Sequence, residues 1–305
     1  MATFEGMAKS GKEPFILSRA GYAGIQRYAF VWTADGTPSW DQLRLQLQLV
    51  LGLSVSGVPY VGIDIGGFQG RGSPLIDNST ELLLRYYQAA MFFPLYRTHK
   101  ATDGIDTEPI YLPKHYKERV REAINLRYTF MSYMYNLVIE AHLHGHPIVR
   151  PLFYEFQDDE DMYRIDDEYM VGRHVLFAPI LYPQTNDRSV ILPRGDWMDF
   201  WTKKRVSGVV RSSSDVPIYI RTNSIVLLDN GDLIVTGQGG ETYGDIVINA
   251  DQNGVILSKQ TRINKLIILG SHNKAYVDGK MVDASIDGDA TMININGAVT
   301  AVRVE

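Results

Sequence analysis

The sequence predicts an α/β region followed by an all-β region: half of a (β/α)8 TIM barrel and then two small β-sandwich domains. Apolar runs alternate with segments of helical periodicity over the first half of the 305 residues, as expected for βα units around a parallel sheet. After about Ile148 the chain changes to short β-like runs separated by Gly, Asn, Asp and Pro. About four strand and helix alternations precede this change, whereas a closed barrel has eight.

The strands of the first region are short apolar runs that end at polar or turn-forming residues. We predict them over residues 15–18, 28–33, 58–63 and 95–98. The third run shows no polar alternation, and we therefore expect it to be covered on both faces of the sheet.

Three helices are predicted between and after these strands. Ser39 caps the first helix, in which Leu45 and Leu49 lie opposite a second apolar face, so we expect this helix to be buried nearly all round. The second helix spans about residues 80–93. The third is a single long helix over about residues 113–145, between a proline and a glycine.

The β-rich part divides most naturally at a turn-rich stretch that follows residue 230. We therefore assign residues 1–147 to the barrel part, residues 148–230 to a proximal β domain and residues 231–305 to a distal β domain.

Composition and charge indicate a neutral partner and a cytoplasmic location. A net charge of -5 and a pI near 5.8 provide no basic field for nucleic acid or for an anionic membrane surface. The sequence has no cysteine, no apolar signal-like segment near Met1 and no apolar run long enough to span a membrane. The N-x-T triplet at Asn78 is interpreted as ordinary loop sequence.

Polar side chains stand where the apolar strands end, which is the edge where α/β barrels assemble their sites. Asp35 follows a strand that contains Trp32, and a position beside an aromatic ring suits a carboxyl that acts as an acid. Asp64 precedes a glycine pair that permits close approach of a ligand, and Arg97 and His99 end the next strand. On local sequence alone, a structural role in a turn or the core is equally compatible with each.

Other site types find little support in the sequence. The histidines and the acidic run lack the spacing of metal ligands, and no serine-hydrolase elbow of the type Gly-x-Ser-x-Gly is present. We therefore expect neither a metal nor a cofactor.

Three motifs resemble glycoside hydrolase family 31, and closely its archaeal maltase-type α-glucosidases. They occur in the family's order as SRAGYAGIQRYAFVWTADGTPSWDQL, VGIDIGGF and FPLYRTHK, and the likeness continues through GHPIVRPLFYEF and DEYMVGRHVLFAPIL. The resemblance covers nearly the whole chain and implies the C-terminal half of the family's (β/α)8 barrel, followed by its β domains. It also implies a retaining α-glucosidase that acts on maltose and malto-oligosaccharides.

Transferred position by position, the resemblance implies that Asp35 is the general acid/base. It further implies a set of side chains that contact the sugar in the subsite where the glycosidic bond is cut: Arg19, Trp32, Asp64, Phe68, Arg97 and His99.

The sequence departs from the family pattern at two points. The usual Gly-Asp-Asn around the acid/base is Ala34-Asp35-Gly36 here, and the nucleophile motif of the type Asp-Met-Asn-Glu does not occur. We therefore expect the chain to be inactive alone, or to act with a separate chain that carries the N-terminal half of the barrel. Asp64 is the less favoured candidate for a replacement nucleophile.

Two other interpretations remain open. The chain could be a noncatalytic carbohydrate-binding or regulatory subunit, which the absent nucleophile favours. Alternatively, the same scaffold could carry α-xylosidase or α-glucan lyase activity.

Overall fold

A computed structural model describes residues 1–69 and 80–305, and Asn78 lies outside these described residues. A four-stranded parallel sheet with helices occupies the first region, and three further sheets build the rest of the described chain. The predicted fold class, a partial barrel followed by β-rich domains, is therefore confirmed.

The first region alternates strands and helices. In chain order its elements are α1 (Ala2–Lys9), β1 (Leu17–Ser18), a 3-10 helix (Ile25–Arg27), β2 (Phe30–Trp32), α2 (Trp40–Val55), β3 (Val61–Ile65), α3 (Thr80–Ala89), β4 (Leu95–Thr98), a 3-10 helix (Pro109–Tyr111), α4 (Lys114–Thr129) and α5 (Met131–His144).

The second region consists almost entirely of strands. Its elements are β5 (Val149–Pro151), α6 (Leu152–Glu155), a 3-10 helix (Glu160–Arg164), β6 (Tyr169–Val171), β7 (Val175–Phe177), β8 (Arg188–Ile191), β9 (Trp197–Asp199), β10 (Arg205–Val206), β11 (Val209–Ser212), β12 (Ile218–Arg221), β13 (Ile225–Leu227), β14 (Asp232–Val235), β15 (Gly239–Tyr243), β16 (Ile246–Asp251), β17 (Gly254–Leu269), β18 (Ala275–Val277), β19 (Lys280–Val282), β20 (Ala284–Asp287) and β21 (Ala290–Val304).

The parallel sheet has the order β1-β2-β3-β4 and two chemically different faces. Val31 and Ile63 join the hydrophobic core on one face. Because side chains alternate along a strand, Trp32 and Asp64 point to the opposite face, which we call the inner face. Gly62 pairs with Trp32 on one side and with Leu95 on the other, and a Cβ there would be 2.0 Å from the Leu95 carbonyl oxygen, so β3 and β4 can approach only with glycine at this position.

Helix α2 begins as the sequence predicts but is buried on one side only. The Ser39 hydroxyl caps it by accepting a hydrogen bond from the Gln42 backbone N–H at 3.1 Å. Leu43 and Leu47 are buried in the core, whereas Leu45 is 46% exposed and Leu49 is 40% exposed. The expectation of all-round burial is therefore wrong, because no described element packs over the outer side of this helix.

The predicted long helix is two helices, α4 and α5, which meet at Phe130. The Thr129 carbonyl accepts a hydrogen bond from the Asp229 backbone N–H at 2.7 Å. Since this contact comes from a distant loop, it diverts a carbonyl that would otherwise serve the helix ladder. The fully buried Phe130 ring fixes the break by packing edge-on against Phe92.

The proximal β domain packs a six-stranded sheet, ordered β10-β9-β12-β7-β6-β5, against the β8–β11 ribbon. Its core is a separate hydrophobic cluster in which Trp197 is completely buried and donates to the Pro193 carbonyl at 2.9 Å. Because the indole N–H has a hydrogen-bond partner, burial of Trp197 leaves no unpaired donor on this side chain.

The distal strands form one hydrogen-bonded network of nine strands around β17 and β21, the two long strands. Their pairing shifts register between Ile256 and Thr261, and such irregularities let a long strand bend over its core. Because β13 pairs with β14, the change from the proximal to the distal sheet falls between Arg221 and Ile225. The domain limits at 147/148 and 230/231 stay predictions.

Two ion pairs that share Asp215 link the proximal domain to the barrel helices. The Arg85 guanidinium, which is not exposed at all, pairs with Asp215 at 3.3 Å and donates to the Thr185 carbonyl at 2.7 Å. Arg119 on α4 reaches the second carboxylate oxygen of Asp215 at 2.6 Å. Helices α3 and α4 of the first region are therefore both linked to the proximal β domain.

Membrane-spanning helices and metal clusters are both absent from the described residues. None of its helices has the length and apolar character needed to cross a membrane. In residues 1–69 and 80–305, no three His, Asp or Glu side chains are grouped so that they could hold a metal ion.

Candidate active site

The seven side chains singled out in the sequence all lie at the carboxyl edge of the parallel sheet. Trp32, Asp64 and Arg97 lie within strands β2, β3 and β4, and the other four follow strand ends. Arg19 comes directly after β1, and Asp35, Phe68 and His99 lie in the loops after β2, β3 and β4. Parallel strands bring these loops together because their carboxyl ends share one edge.

Asp35 is paired with Arg19 across two neighbouring loops. The Arg19 Nη2 atom lies 2.9 Å from Asp35 Oδ2, and the side chains are 67% and 29% exposed. Exposed pairs are weak, so this contact orients the Asp35 carboxyl without holding it tightly. The preceding residue, Ala34, has a φ of 70°, in the left-handed region that is uncommon for a residue with a Cβ.

Asp64 and Arg97 form a buried ion pair beside Trp32. The Arg97 Nη2 and Nε atoms lie 2.8 Å and 3.0 Å from Asp64 Oδ1, and the Asp64 side chain is only 1% exposed. The same guanidinium lies over the Trp32 ring at 4.5 Å from its centroid. Burial raises the pKa of Asp64, and the Arg97 charge offsets part of that rise.

Phe68 and His99 form an aromatic corner of the same edge. Their ring centroids are 5.2 Å apart. The Phe68 backbone joins three loops, because its N–H donates to the Gly36 carbonyl at 2.8 Å and its own carbonyl accepts from the Ala101 N–H at 2.8 Å. The aromatic corner is thereby fixed to the loop that carries Asp35.

Several buried polar atoms at this edge have no hydrogen-bond partner within the described part of the chain. Among them are the Trp32 Nε1 donor, the Thr33 hydroxyl and the Asp64 Oδ2 acceptor. Buried polar atoms are nearly always paired in folded proteins, and exceptions concentrate at functional sites. One donor and one acceptor of this kind match the hydrogen-bonding capacity of ligand hydroxyl groups.

Sequence reasoning missed Gln69 and Thr37, which brace the Asp35 loop. The Thr37 hydroxyl donates to Gln69 Oε1 at 2.7 Å, and Gln69 Nε2 lies 3.4 Å from the Asp35 carbonyl oxygen. The Gln69 backbone N–H also donates to the Gly36 carbonyl at 3.1 Å. The available signal was a lone polar residue directly after Phe68, which alone does not reveal a partner 32 residues away.

Comparisons with known proteins place this edge in a family context. A family model described as "Glycosyl hydrolases family 31 TIM-barrel domain" matches residues 1–137, and one described as "Glycosyl hydrolase family 31 C-terminal domain" matches residues 145–226. The two models follow one another along the chain and together match most of it.

Several curated relatives are similar in sequence over most of this chain. An α-glucosidase of Saccharolobus solfataricus is 57% identical over 272 residues, which cover 88% of this chain and 39% of that protein. Alpha-glucosidase 2 of Bacillus thermoamyloliquefaciens is 39% identical over 74% of this chain and 29% of its own length. An α-xylosidase of Saccharolobus solfataricus is 32% identical over 81% of this chain and 34% of its own length. The chain thus spans well under half of these relatives.

Solved structures share the fold. A Flavobacterium johnsoniae GH31 dextranase superposes with a TM-score of 0.80 at 20% identity, covering 99% of this chain and 47% of the dextranase. A glucosidase II alpha subunit superposes with a TM-score of 0.82 at 22% identity, covering 96% of this chain and 39% of the subunit. At these identities, the comparison establishes the arrangement of the elements alone.

Proposed function

The chain belongs to glycoside hydrolase family 31, and from this premise we propose that it carries the acid/base part of a retaining α-glucosidase active site. Its substrate is terminal, non-reducing α-linked glucose in maltose and malto-oligosaccharides. The observation that carries the proposal is the position of Asp35, half-buried at the carboxyl edge of the sheet, 2.9 Å from Arg19 and in a loop tied to Phe68.

In the proposed reaction, Asp35 acts first as an acid and then as a base. A neutral Asp35 carboxyl first protonates the oxygen that leaves the anomeric carbon, while a second carboxylate attacks that carbon and forms a glycosyl ester. The Asp35 carboxylate then removes a proton from the water that hydrolyses this ester. Arg19 orients the Asp35 carboxyl in this proposal through the 2.9 Å contact with Oδ2.

The other side chains of the edge bind the sugar in this proposal. Asp64 Oδ2 accepts from a sugar hydroxyl and Trp32 Nε1 donates to one, which gives both of these buried atoms a partner. Phe68 and His99 form a wall of the pocket from their paired rings. Arg97 keeps Asp64 in place, since two of its nitrogens contact one carboxylate oxygen.

The nucleophile must come from another part of the barrel. Retaining glycosidases need two carboxyl groups about 5–5.5 Å apart, and the sequence lacks the family's Asp-Met-Asn-Glu type motif. Asp64 is a poor replacement because its carboxylate is held by Arg97 inside the sheet edge. We therefore propose that the chain works with the first half of a family 31 barrel, on the same or on a separate polypeptide, and does not turn over substrate alone.

The inner face of the sheet offers an apolar surface for that other half. Phe15 is 66% exposed, and its ring lies 5.5 Å from that of Phe30, which in turn lies 5.4 Å from that of Tyr60. Such a row of aromatic rings is costly to leave in water and favours closure by further strands. Barrel closure would also remove the free edges of β1 and β4.

A reconstitution experiment tests the proposal. The chain is assayed alone and after co-expression with the portion of the Saccharolobus α-glucosidase that it does not span, using maltose, malto-oligosaccharides and α-xylosides. We expect no turnover by the chain alone and maltose hydrolysis after reconstitution, with α-glucosides preferred because the α-glucosidase relative is 57% identical and the α-xylosidase 32%. Oligosaccharide binding without turnover in the reconstituted protein would instead support a noncatalytic subunit.

We also propose a cytoplasmic location, supported by the absence of cysteine from the sequence. Fractionation of the native cells, with the chain followed by immunoblotting, tests it; recovery in the medium or membrane fraction would contradict it.

A further inference from the structure

The loop that carries Asp35 is fastened to the loop after β3 by four hydrogen bonds. Two run between backbones, from the Phe68 and Gln69 N–H groups to the Gly36 carbonyl at 2.8 Å and 3.1 Å. Two involve the Gln69 side chain, which accepts from the Thr37 hydroxyl and lies 3.4 Å from the Asp35 carbonyl oxygen. All four meet within the three residues 35–37.

The backbone around Asp35 packs closely against its neighbours. A Cβ on Gly36 would lie 2.4 Å from Gln46 Nε2, and a Cβ on Gly67 would lie 2.7 Å from the Pro38 nitrogen. Gln46 is buried on helix α2, with 1% of it exposed. The Asp35 loop is therefore in close contact both with helix α2 and with the loop after β3.

We propose that Gln69 is a positioning residue for the Asp35 carboxyl, with Thr37 as its partner; this inference rests on the proposed function of Asp35. Gln69 does not touch the reacting atoms. Its amide holds the peptide on both sides of Gly36, so it sets the direction in which the Asp35 side chain leaves the backbone. Because proton transfer depends steeply on donor placement, loosening the loop weakens acid catalysis more than sugar binding.

This role predicts a dependence on the leaving group that a purely structural role lacks. The reducing-end glucose of maltose is a poor leaving group as an alkoxide and needs the Asp35 proton to depart as an alcohol, whereas the fluoride of α-D-glucosyl fluoride departs as an anion without one. In the reconstituted barrel, Gln69→Leu should lower kcat/KM for maltose about tenfold and for glucosyl fluoride less than twofold. Thr37→Val should act in the same direction, and Thr37→Ser should restore the wild-type ratio because it keeps the hydroxyl.

Gln48→Leu is the matched control. Gln48 lies on α2, is exposed and donates to Asp166 at 2.6 Å, so the substitution removes a similar bond outside the site. It should leave both kcat/KM values unchanged. An equal loss for maltose and glucosyl fluoride in Gln69→Leu, or no loss for either, would overturn the proposal.

A second measurement on the 305-residue chain itself separates this proposal from the proposed function. Hydrogen–deuterium exchange of peptides that cover residues 34–38 and 66–69 should be about fivefold faster in Gln69→Leu than in the wild type or Gln48→Leu. If the exchange rate is unchanged, the proposed role of Gln69 is wrong, whatever the activity of the reconstituted enzyme. If the wild-type reconstituted protein hydrolyses neither substrate while exchange still accelerates, the proposed function fails and the brace remains.

Discussion

The partial barrel and the β-rich region each bury a carboxylate beside an arginine, and the two carboxylates differ in what surrounds them. Asp64 pairs with Arg97, and Glu168 pairs with Arg188; both acidic side chains are 1% exposed. Burial raises the pKa of both, in Glu168 to about 7. Burial and pairing alone therefore do not distinguish Asp64, for which we propose a ligand-binding role, from the structural carboxylate Glu168.

The two carboxylates differ in the surfaces and residues that surround them. Asp64 stands on the inner face of a sheet whose carboxyl edge carries Arg19, 67% exposed, and whose amino end carries Phe15, 66% exposed. Glu168 lies inside the proximal β domain, where Oε1 accepts from both Arg188 and the Ile191 backbone N–H. Asp64, although buried, lies beside this open face, where we propose that it meets a ligand, whereas Glu168 joins the strands of a packed domain.

The largest effect should come from removing the acid/base itself. Asp35→Asn in the reconstituted barrel should lower kcat for maltose about a thousandfold, since general acid catalysis of this kind contributes about 10²–10⁴-fold. Steady-state kinetics measure it, with α-D-glucosyl fluoride as the substrate that needs no proton for its departure. Full maltase activity in Asp35→Asn would remove Asp35 from the mechanism.

The Asp64 pair should respond next most strongly, and its readout is stability. Arg97→Met leaves a buried carboxylate without its partner and should lower the free energy of unfolding by about 3 kcal/mol. Asp64→Asn in the same chain should recover most of this loss, because it removes the buried charge. Urea unfolding of the single and double variants measures both, and additive losses would argue that the two side chains do not interact.

The raised pKa of Glu168 should make the stability of the folded chain depend on pH. Its pKa is raised to about 7 in the folded chain from about 4.5, so its stabilising contribution is complete below about pH 4.5 and is lost as the pH rises through 7. Relative to Glu168→Gln, the wild type should therefore lose about 3 kcal/mol of stability between pH 4.5 and pH 8. Thermal unfolding of both proteins across that range measures the difference; a constant difference would contradict the raised pKa.

The smallest effect concerns backbone strain in the Asp35 loop. Ala34 has a φ of 70°, a conformation that costs a residue with a Cβ about 1–2 kcal/mol. Glycine avoids this cost but loses more conformational entropy on folding, which cancels part of the gain. Ala34→Gly should therefore stabilise the chain by about 0.5 kcal/mol. Ala123→Gly within helix α4 is the control and should destabilise it by about 1 kcal/mol. Destabilisation by both would show that the loop is not strained.

The sequence predicted the order of elements better than their edges. Strand β4 matches the predicted residues 95–98, because a proline before it and polar residues after it mark both ends. The long third helix was wrong because the break at Phe130 depends on a backbone contact from Asp229, 100 residues away along the chain. The exposure of Leu45 was missed because helical periodicity shows which face is apolar but not what covers it.

The seven site residues were located from motifs and strand ends, and the structure places all of them at one edge. Their proposed roles stay predictions. The Gln69 brace could not be predicted, because it depends on the contact between the loops after β2 and β3. No local sequence pattern shows that these two loops meet. Likewise, the raised pKa of Glu168 follows from its burial when the strands of the proximal domain pack together, which no local pattern around residue 168 shows.

The most direct test of the account is where a trapped glycosyl ester forms. The reconstituted barrel, assembled from this chain and the complementary part of the Saccharolobus relative as separate polypeptides, is treated with 5-fluoro-α-D-glucosyl fluoride, and labelled peptides are mapped by mass spectrometry. The account predicts a label on a carboxylate of the complementary polypeptide and none on this chain. A label on Asp64, or on any other carboxylate of the 305 residues, would contradict the division of the two catalytic carboxyls between the halves.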